Sequence, residues 1–502
     1  MSLSIVYTRA QLGVDAPRVT VETHLSNGLP SLTIVGLPEM AVRESKERVR
    51  SALINSGFDF PNRRVTINLA PADLPKQGGR YDLAIAIGIL SATGQIEVLS
   101  LHQYEFLGEL ALTGELRPVS GVLPTAIACI KEGLSLFVPY ESRYEASLAS
   151  EGVIFGAKHL SDICQHLKDL QKLEAICFQA PEMHSQILPD LCEVKGQHQA
   201  RRALELAAAG RHNLLFYGPP GTGKSMLAAR LPSILPSLTQ NETVEVASIY
   251  SLAGMSRELN MLFSAPFRAP HHTASAVSLV GGGTHPKPGE ISLAHRGVLF
   301  LDELPEYARS VLEVLREPIE SGEIRISRAN GTLTFPAQFQ LLAAMNPCPC
   351  GYSGHPTVPC SDTPQQIAQY RRKLSGPLLD RFDLHVEVSS QSGAVLLSNA
   401  EPAETSLSVY QRVSLARGRQ YQRQGKLNSE LKPSELAEFC PLSPDIQKIL
   451  ESAMDRLALS ARAAHRIVKV ARTLADLENL DNLALRHITE ALAYRGMDRR
   501  AT

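Results

Sequence analysis

No uninterrupted apolar stretch in the 502-residue sequence approaches the roughly 18 residues of a membrane-spanning helix. The opening Met1-Ser2-Leu3-Ser4-Ile5 lacks the basic, apolar and small-residue order of a signal peptide, so a cytoplasmic protein without membrane contact is expected. Charge of either sign is not in excess: 50 Lys+Arg stand against 51 Asp+Glu, a net −1. Global attraction to DNA or to a membrane surface is therefore excluded, and any nucleic-acid contact must come from local clusters of Lys and Arg. Eight cysteines are too few in a chain of this length for a disulfide framework. Internal repeats and low-complexity tracts are also missing. What is present is an ordinary globular composition, 44% hydrophobic and 20% charged, with length enough for several domains, each with its own core.

Up to residue 165 the chain alternates strand-like runs, Leu32–Val35 and Arg64–Leu69, with a helix expected over Glu44–Ser56 and an apolar one over Leu83–Ser91, the pattern of an α+β domain. Residues 166–192 turn polar and irregular and read as a linker. Val194–Ala209 predicts a helix leading into a second domain, 193–390. Its short apolar runs Val298–Leu301, Leu341–Met345 and Leu384–Val388 imply a mostly parallel sheet covered on both faces, an α/β class. A Ser-, Gly- and Ala-rich stretch, 391–405, reads as a second linker. Helical periodicity over Leu407–Arg423, Ile446–Leu457, Ala461–Leu477 and Leu483–Tyr494 then predicts an all-helical third domain, 406–502.

The most informative run is Gly218-Pro219-Pro220-Gly221-Thr222-Gly223-Lys224-Ser225, placed between apolar Leu214-Leu215-Phe216 and helix-forming Met226–Arg230. A triphosphate needs backbone N–H donors unobstructed by Cβ atoms, a helix N-terminus, a cation and a hydroxyl for Mg²⁺, and this spacing supplies all four. Lys224 would reach the β- and γ-phosphates and Ser225 the metal. Downstream, Val298–Leu301 ends in Asp302-Glu303, where a buried strand delivers two acids to a nucleotide. Asp302 would hold Mg²⁺ through water and Glu303 would polarise the attacking water as general base. Asn346 ends the next apolar run and could orient the same water; a turn asparagine ahead of Pro347 is the other reading. Cys348, Cys350 and Cys360 crowd into one loop, which suggests a metal, with His355 a candidate fourth ligand for Zn²⁺; reduced, partly buried thiols are the alternative.

The phosphate loop, the acidic strand end and the strand-terminal Asn resemble the Walker A, Walker B and sensor 1 elements of AAA+ ATPases. The stretches Phe267–Ser275, Gly281–Gly283, Pro288–His295 and Met345–Gly351 further resemble the magnesium-chelatase-like family of bacterial proteins called YifB or ComM, over essentially the whole chain. That resemblance implies an AAA+ P-loop core with a helical lid, preceded by an inactive Lon-protease-like α+β domain. It implies Arg381 as an arginine finger donated to a neighbouring subunit and Arg462 as sensor 2, with Arg466, one turn on, the competing choice. An ion pair of Arg381 with Asp380 or Asp383 is the structural alternative. Relatives generally carry a further cysteine near Cys360, where Val358 and Pro359 stand here, which leaves the thiolate set one short.

Asn68–Lys76 and Gly108–Val119 are similar to the proteolytic domain of Lon, but Lys76-Gln77-Gly78-Gly79-Arg80 has no serine and Leu123 stands where the catalytic lysine is expected. Without a hydroxyl nucleophile and an amine base no acyl transfer follows. Arg43, Lys46, Arg48, Arg50, Arg63, Arg64, Lys76 and Arg80 are candidates for a DNA-binding rim, or else dispersed solvated charges. Alternation on both sides of Asn330-Gly331 predicts a hairpin over Ile324–Phe335 that resembles the pore hairpin of ring helicases, with Arg325 and Arg328 able to grip phosphates. The glycine-containing insertion Thr273–Pro288 would form a second pore element, with Lys287 as a further DNA contact. The implied activity is an ATP- and Mg²⁺-dependent homo-hexameric motor on single-stranded or branched DNA, promoting branch migration in natural transformation. A protein-remodelling or metal-chelatase-type motor is the alternative.

Overall fold

The computed structural model describes residues 3–97, 100–149, 152–178, 188–255, 261–283, 286–328, 331–391 and 403–496. They fall into two compact units, one drawn from Met1–His184, Gln240–Leu262 and Arg325–Phe335, the other from Ser185–Thr239, Phe263–Ile324 and Pro336–Thr502.

The first unit is built on a mixed eight-stranded sheet. Alternation in Arg18–Ser26 and Arg64–Ala70 turns Val19, Val21, Leu25, Val65, Ile67 and Leu69 to one face. That face is covered by the helix Asp82–Ala92, which is apolar all round and buried all round. The helix approaches closely because Gly88 has no side chain: a Cβ there would lie 2.6 Å from Thr23 Oγ1. The unit extends past the boundary expected at 165. A helix Leu160–Leu167, capped reciprocally by His159 and Asp162, is followed by Ala175–Ile176, which pairs antiparallel with Ile154 and Phe155.

The second unit contains a five-stranded, all-parallel sheet in the order Phe267–Arg268, Val298–Leu301, Gln340–Met345, Leu214–Tyr217, Leu384–Glu387. The three central strands are buried along their whole length, which is why they read as continuous apolar runs rather than alternating ones. The helix expected from Val194 starts at His198, because Gly196 and Gln197 adopt left-handed backbone that a helix cannot continue through.

Two features of the packing bear on the expected organisation. Residues 406–502 do form helices where described, at Ser406–Gln424, Pro444–Leu457, Ala461–Leu477 and Leu485–Ala493. Their core is shared: Val413, Ile467, Leu474 and Ile488 join one hydrophobic cluster with Leu204 of the helix His198–Gly210 and with Phe216 and Leu384 of the sheet. Conversely, the helix Gln240–Ala253 and residues 325–335 cluster with the first unit, not with the rest of 193–390. The helix packs on Val122–Lys131, tied by Gly121 N–H to Ser251 O at 3.1 Å. Most of the linker 391–405, part of 166–192 and Asn330 of the hairpin tip lie outside the described residues.

Candidate functional site

Parallel strands align their carboxyl ends, so the segments that follow Tyr217, Leu301 and Met345 emerge along one edge of the sheet. After Tyr217 comes the glycine-rich loop. Gly221 and Gly223 have φ of +76° and +87°, which an L side chain resists. A Cβ on Gly218 would meet Val388 O at 2.1 Å, so only glycine lets the loop leave the sheet there.

Lys224 opens the following helix and is 8% exposed. Its Nζ donates to Gly218 O at 2.8 Å, Pro219 O at 2.7 Å and Asn346 Oδ1 at 3.1 Å. Burial pulls this ammonium down to about 8, against the opposing pull of Asp302. Ser225 Oγ donates to Asp302 Oδ2 at 2.5 Å, and Asp302 Oδ1 accepts the Glu303 N–H at 2.9 Å. Thus Lys224, Ser225, Asp302 and Asn346, four residues from three separate strand ends, are linked directly. Glu303 adopts φ +51°, a left-handed conformation costly for a non-glycine residue, and its carboxylate lies 3.0 Å from His272 Nδ1. His272 reaches it from an insertion whose base is held by Arg268 donating both Nε and Nη2 to Glu290 at 2.6 and 2.7 Å.

A different group gathers at the opposite, amino edge. Asp383 immediately precedes Leu384 and Asn213 immediately precedes Leu214, and these two strands pair in register. Asn213 N–H donates to Asp383 Oδ2 at 3.0 Å and its Nδ2 to Arg381 O at 2.9 Å. Arg466 Nη1 approaches Asp383 Oδ1 at 3.4 Å. Burial alone would raise the Asp383 carboxyl, but His212, whose Nδ1 lies 3.6 Å away, and the charge of Arg466 hold it far below the usual carboxylate range. Arg381 is 6% exposed and pairs with Glu320 at 2.5 Å rather than with Asp380 or Asp383. A cavity of about 540 Å³ opens here, lined by Arg211, Arg381, Lys432, Arg466 and Lys469 with Glu320 and Asp383. Arg462 lies one turn earlier on the same helix, exposed and not among the cavity residues.

The residues expected to touch DNA are less organised. Lys287 is exposed in the short pair Gly281–Gly282 with Lys287–Pro288. Arg325 is exposed on the strand Glu323–Arg328, which pairs with Gly331–Pro336; the strand includes Arg328. Of the proposed basic rim, Arg43, Lys46, Arg50, Arg63 and Arg64 are exposed. Arg48 instead pairs with buried Asp82 at 2.8 Å, Lys76 is buried, and Arg80 is buried with Nη2 on Thr125 Oγ1. These three serve the fold and are removed from the rim.

Cys348, Cys350 and Cys360 do converge, but with Asp362 and not His355 beside them. The His355 ring turns back on its own loop, where Nδ1 accepts from Val358 N–H at 3.0 Å. Reading along the chain missed His272, Lys469 and Asp362. Only Asp362 left a trace, its spacing from Cys360 repeating that of Cys350 from Cys348.

Family models described as "Magnesium chelatase, subunit ChlI", "Subunit ChlI of Mg-chelatase" and "Magnesium chelatase, subunit ChlI C-terminal" match residues 190–396, 21–142 and 403–495. The chain is 51% identical to competence protein ComM of Haemophilus influenzae, over 99% of this chain and 98% of that protein. It is 50% identical to the uncharacterized protein YifB of Salmonella typhimurium over the same shares. The magnesium-chelatase 38 kDa subunit of Cereibacter sphaeroides is 26% identical over 39% of this chain and 58% of its own length.

Proposed function

The chain belongs to the ComM/YifB family of magnesium-chelatase-like proteins, and from that premise we propose that it is an AAA+ ATP hydrolase working as a homo-hexameric DNA motor that promotes branch migration in competence. The observation that carries the reading is the division of the sheet's two edges. One holds the phosphate loop with Asp302, Glu303 and Asn346; the other, about 13 Å away along a four-residue strand, holds Arg381 in a cationic cavity. An arginine at the far edge cannot serve its own subunit's nucleotide. It suits the triphosphate of a neighbour, which requires a ring in which each protomer completes the next.

The residues present fit ATP with Mg²⁺. Lys224 donates to two loop carbonyls that line the cradle, within reach of anionic oxygens, and Ser225 and Asp302 form the hydroxyl–carboxylate pair that would hold the metal. When bound, Mg²⁺ neutralises charge on the phosphate oxygens. Glu303, oriented by His272, would take the proton of the attacking water, and Asn346 would orient that water. Arg466 and Lys469 at the amino edge add positive charge beside Arg381, which favours Arg466 over Arg462 as the second phosphate-sensing arginine. In the first unit, Gly79 and buried Leu123 supply neither nucleophile nor base, so a Lon-like module there would bind rather than cleave.

Binding a triphosphate favours protonated Lys224. Above about pH 8, binding must therefore take up a proton, and nucleotide affinity should fall by up to tenfold per pH unit. Calorimetry in buffers of different ionisation enthalpy checks this, with Lys224→Arg expected to lose the proton uptake. For the unliganded chain the sign is opposite. The folded value lies below the ordinary 10.5, so the unfolded chain binds more protons between about 8 and 10.5, and stability rises with pH through that window.

The function itself is tested by measuring ATP turnover with single-stranded DNA, forked DNA or unfolded protein. Stimulation by DNA is expected, strongest with branched forms. Stimulation by unfolded protein alone would favour a remodelling motor, the reading closer to the chelatase subunits among the relatives.

A further inference from the structure

The sulfurs of Cys348, Cys350 and Cys360 form a triangle with sides of 3.4, 3.4 and 3.7 Å. Three thiolates bound to one Zn²⁺ at 2.3 Å in tetrahedral geometry would be separated by about 3.8 Å. The fourth corner is taken by a carboxylate: one oxygen of Asp362 joins the three sulfurs in a group whose atoms all lie within 4.8 Å of one another. We propose that Cys348, Cys350, Cys360 and Asp362 form a structural Zn²⁺ site, with Asp362 as the single oxygen ligand.

The loop is shaped to hold this arrangement. Gly351, at φ +85°, closes the Cys348–Gly351 turn with its N–H on Cys348 O at 3.0 Å. Ser353 N–H donates to Cys348 Sγ at 3.2 Å, a contact that would offset charge on a thiolate. Asp362 sits one residue before Thr363, the cap of the helix Pro364–Arg372, whose side chain and that of Gln366 satisfy each other's backbone N–H groups. That cap fixes where Asp362 stands, and the Cys350 N–H, donating to Asp362 Oδ2 at 2.8 Å, fixes how its carboxylate turns. Binding one Zn²⁺ displaces three thiol protons to solvent and leaves the site with a net charge of about −2.

The site has a structural consequence for the phosphate loop. Cys348 follows Asn346 by two residues, and Gly351 packs so closely on Pro220 that a Cβ would lie 2.6 Å from the proline Cδ. A metal here ties the strand end carrying Asn346 to the wall of the phosphate cradle and to the start of the next helix. Its role is to keep that corner in one conformation.

Metal analysis of the full-length protein purified without added metal should find one Zn²⁺ per chain, and Cys350→Ser should lose it. Purified protein with no stoichiometric metal, and no uptake from added Zn²⁺ under reducing conditions, would overturn the site. The oxygen ligand is tested with Co²⁺ in place of Zn²⁺. The wild-type charge-transfer band should correspond to three thiolates, and Asp362→Cys should strengthen it by about a third while keeping the metal. Asp362→Ala should weaken metal affinity at least tenfold. If Asp362→Ala leaves spectrum and affinity unchanged while His355→Ala alters both, the assignment of Asp362 is wrong. Circular dichroism of each variant separates metal loss from unfolding.

Discussion

Glu303→Gln should lower ATP turnover by about 10²- to 10⁴-fold, the usual contribution of a positioned general base and roughly 3–5 kcal/mol of barrier, while nucleotide affinity stays within twofold of wild type. The separation of the two effects follows from where Glu303 stands. Lys224 and Ser225 provide the cradle, whereas the Glu303 carboxylate faces His272 at 3.0 Å. Gln keeps the size, the close approach to His272 and the left-handed backbone, and removes the ability to accept a proton. Single-turnover hydrolysis beside equilibrium nucleotide binding measures both quantities. Turnover within threefold of wild type would remove Glu303 from the proposed chemistry.

Arg381→Ala should cost about 10³-fold or more in turnover without weakening nucleotide binding by the individual subunit. Its ion-pair partner Glu320 is 59% exposed and would return to water, so loss of that pair by itself costs under about 1 kcal/mol. The decisive experiment mixes two inactive proteins, Arg381→Ala and Lys224→Ala. If the arginine acts across subunits, random assembly makes about a quarter of the junctions intact, with Lys224 from one variant and Arg381 from the other, and activity returns. If the arginine acts within its own chain, no junction is intact and the mixture stays inactive even when the two variants demonstrably co-assemble. That outcome would refute the assignment of the two sheet edges to different nucleotides.

How much of this was legible beforehand depended on distance along the chain. The glycine-rich turn between strand and helix was readable because its glycines, lysine and serine are contiguous, and their conformational needs are local. Asp302, Glu303 and Asn346 were readable as candidates because each ends a short apolar run, and parallel strands must bring such ends together. His272 was not, because nothing in the insertion shows that its ring faces Glu303. Arg462 and Arg466 were both candidates, and helical periodicity cannot say which one faces a cavity formed by Arg381 and Arg211 from other elements. Arg48, Lys76 and Arg80 looked like surface charges because a sequence does not reveal that Asp82, Thr125 and the core enclose them.

From residue order alone came the strand–turn–helix around Lys224, the acids at the end of a buried strand and the cluster of three cysteines, since each rests on φ restrictions, apolar runs or short spacings that neighbouring residues impose on one another. Folding in three dimensions decided the rest: that Asp362, held by a helix cap and the Cys350 N–H, stands beside the thiols; that the C-terminal helices share the sheet's core; and that Arg381 lies at the edge away from Lys224. Those outcomes depend on which apolar surfaces bury against each other across hundreds of residues, and on the common direction of parallel strands, neither of which is a property of any local stretch.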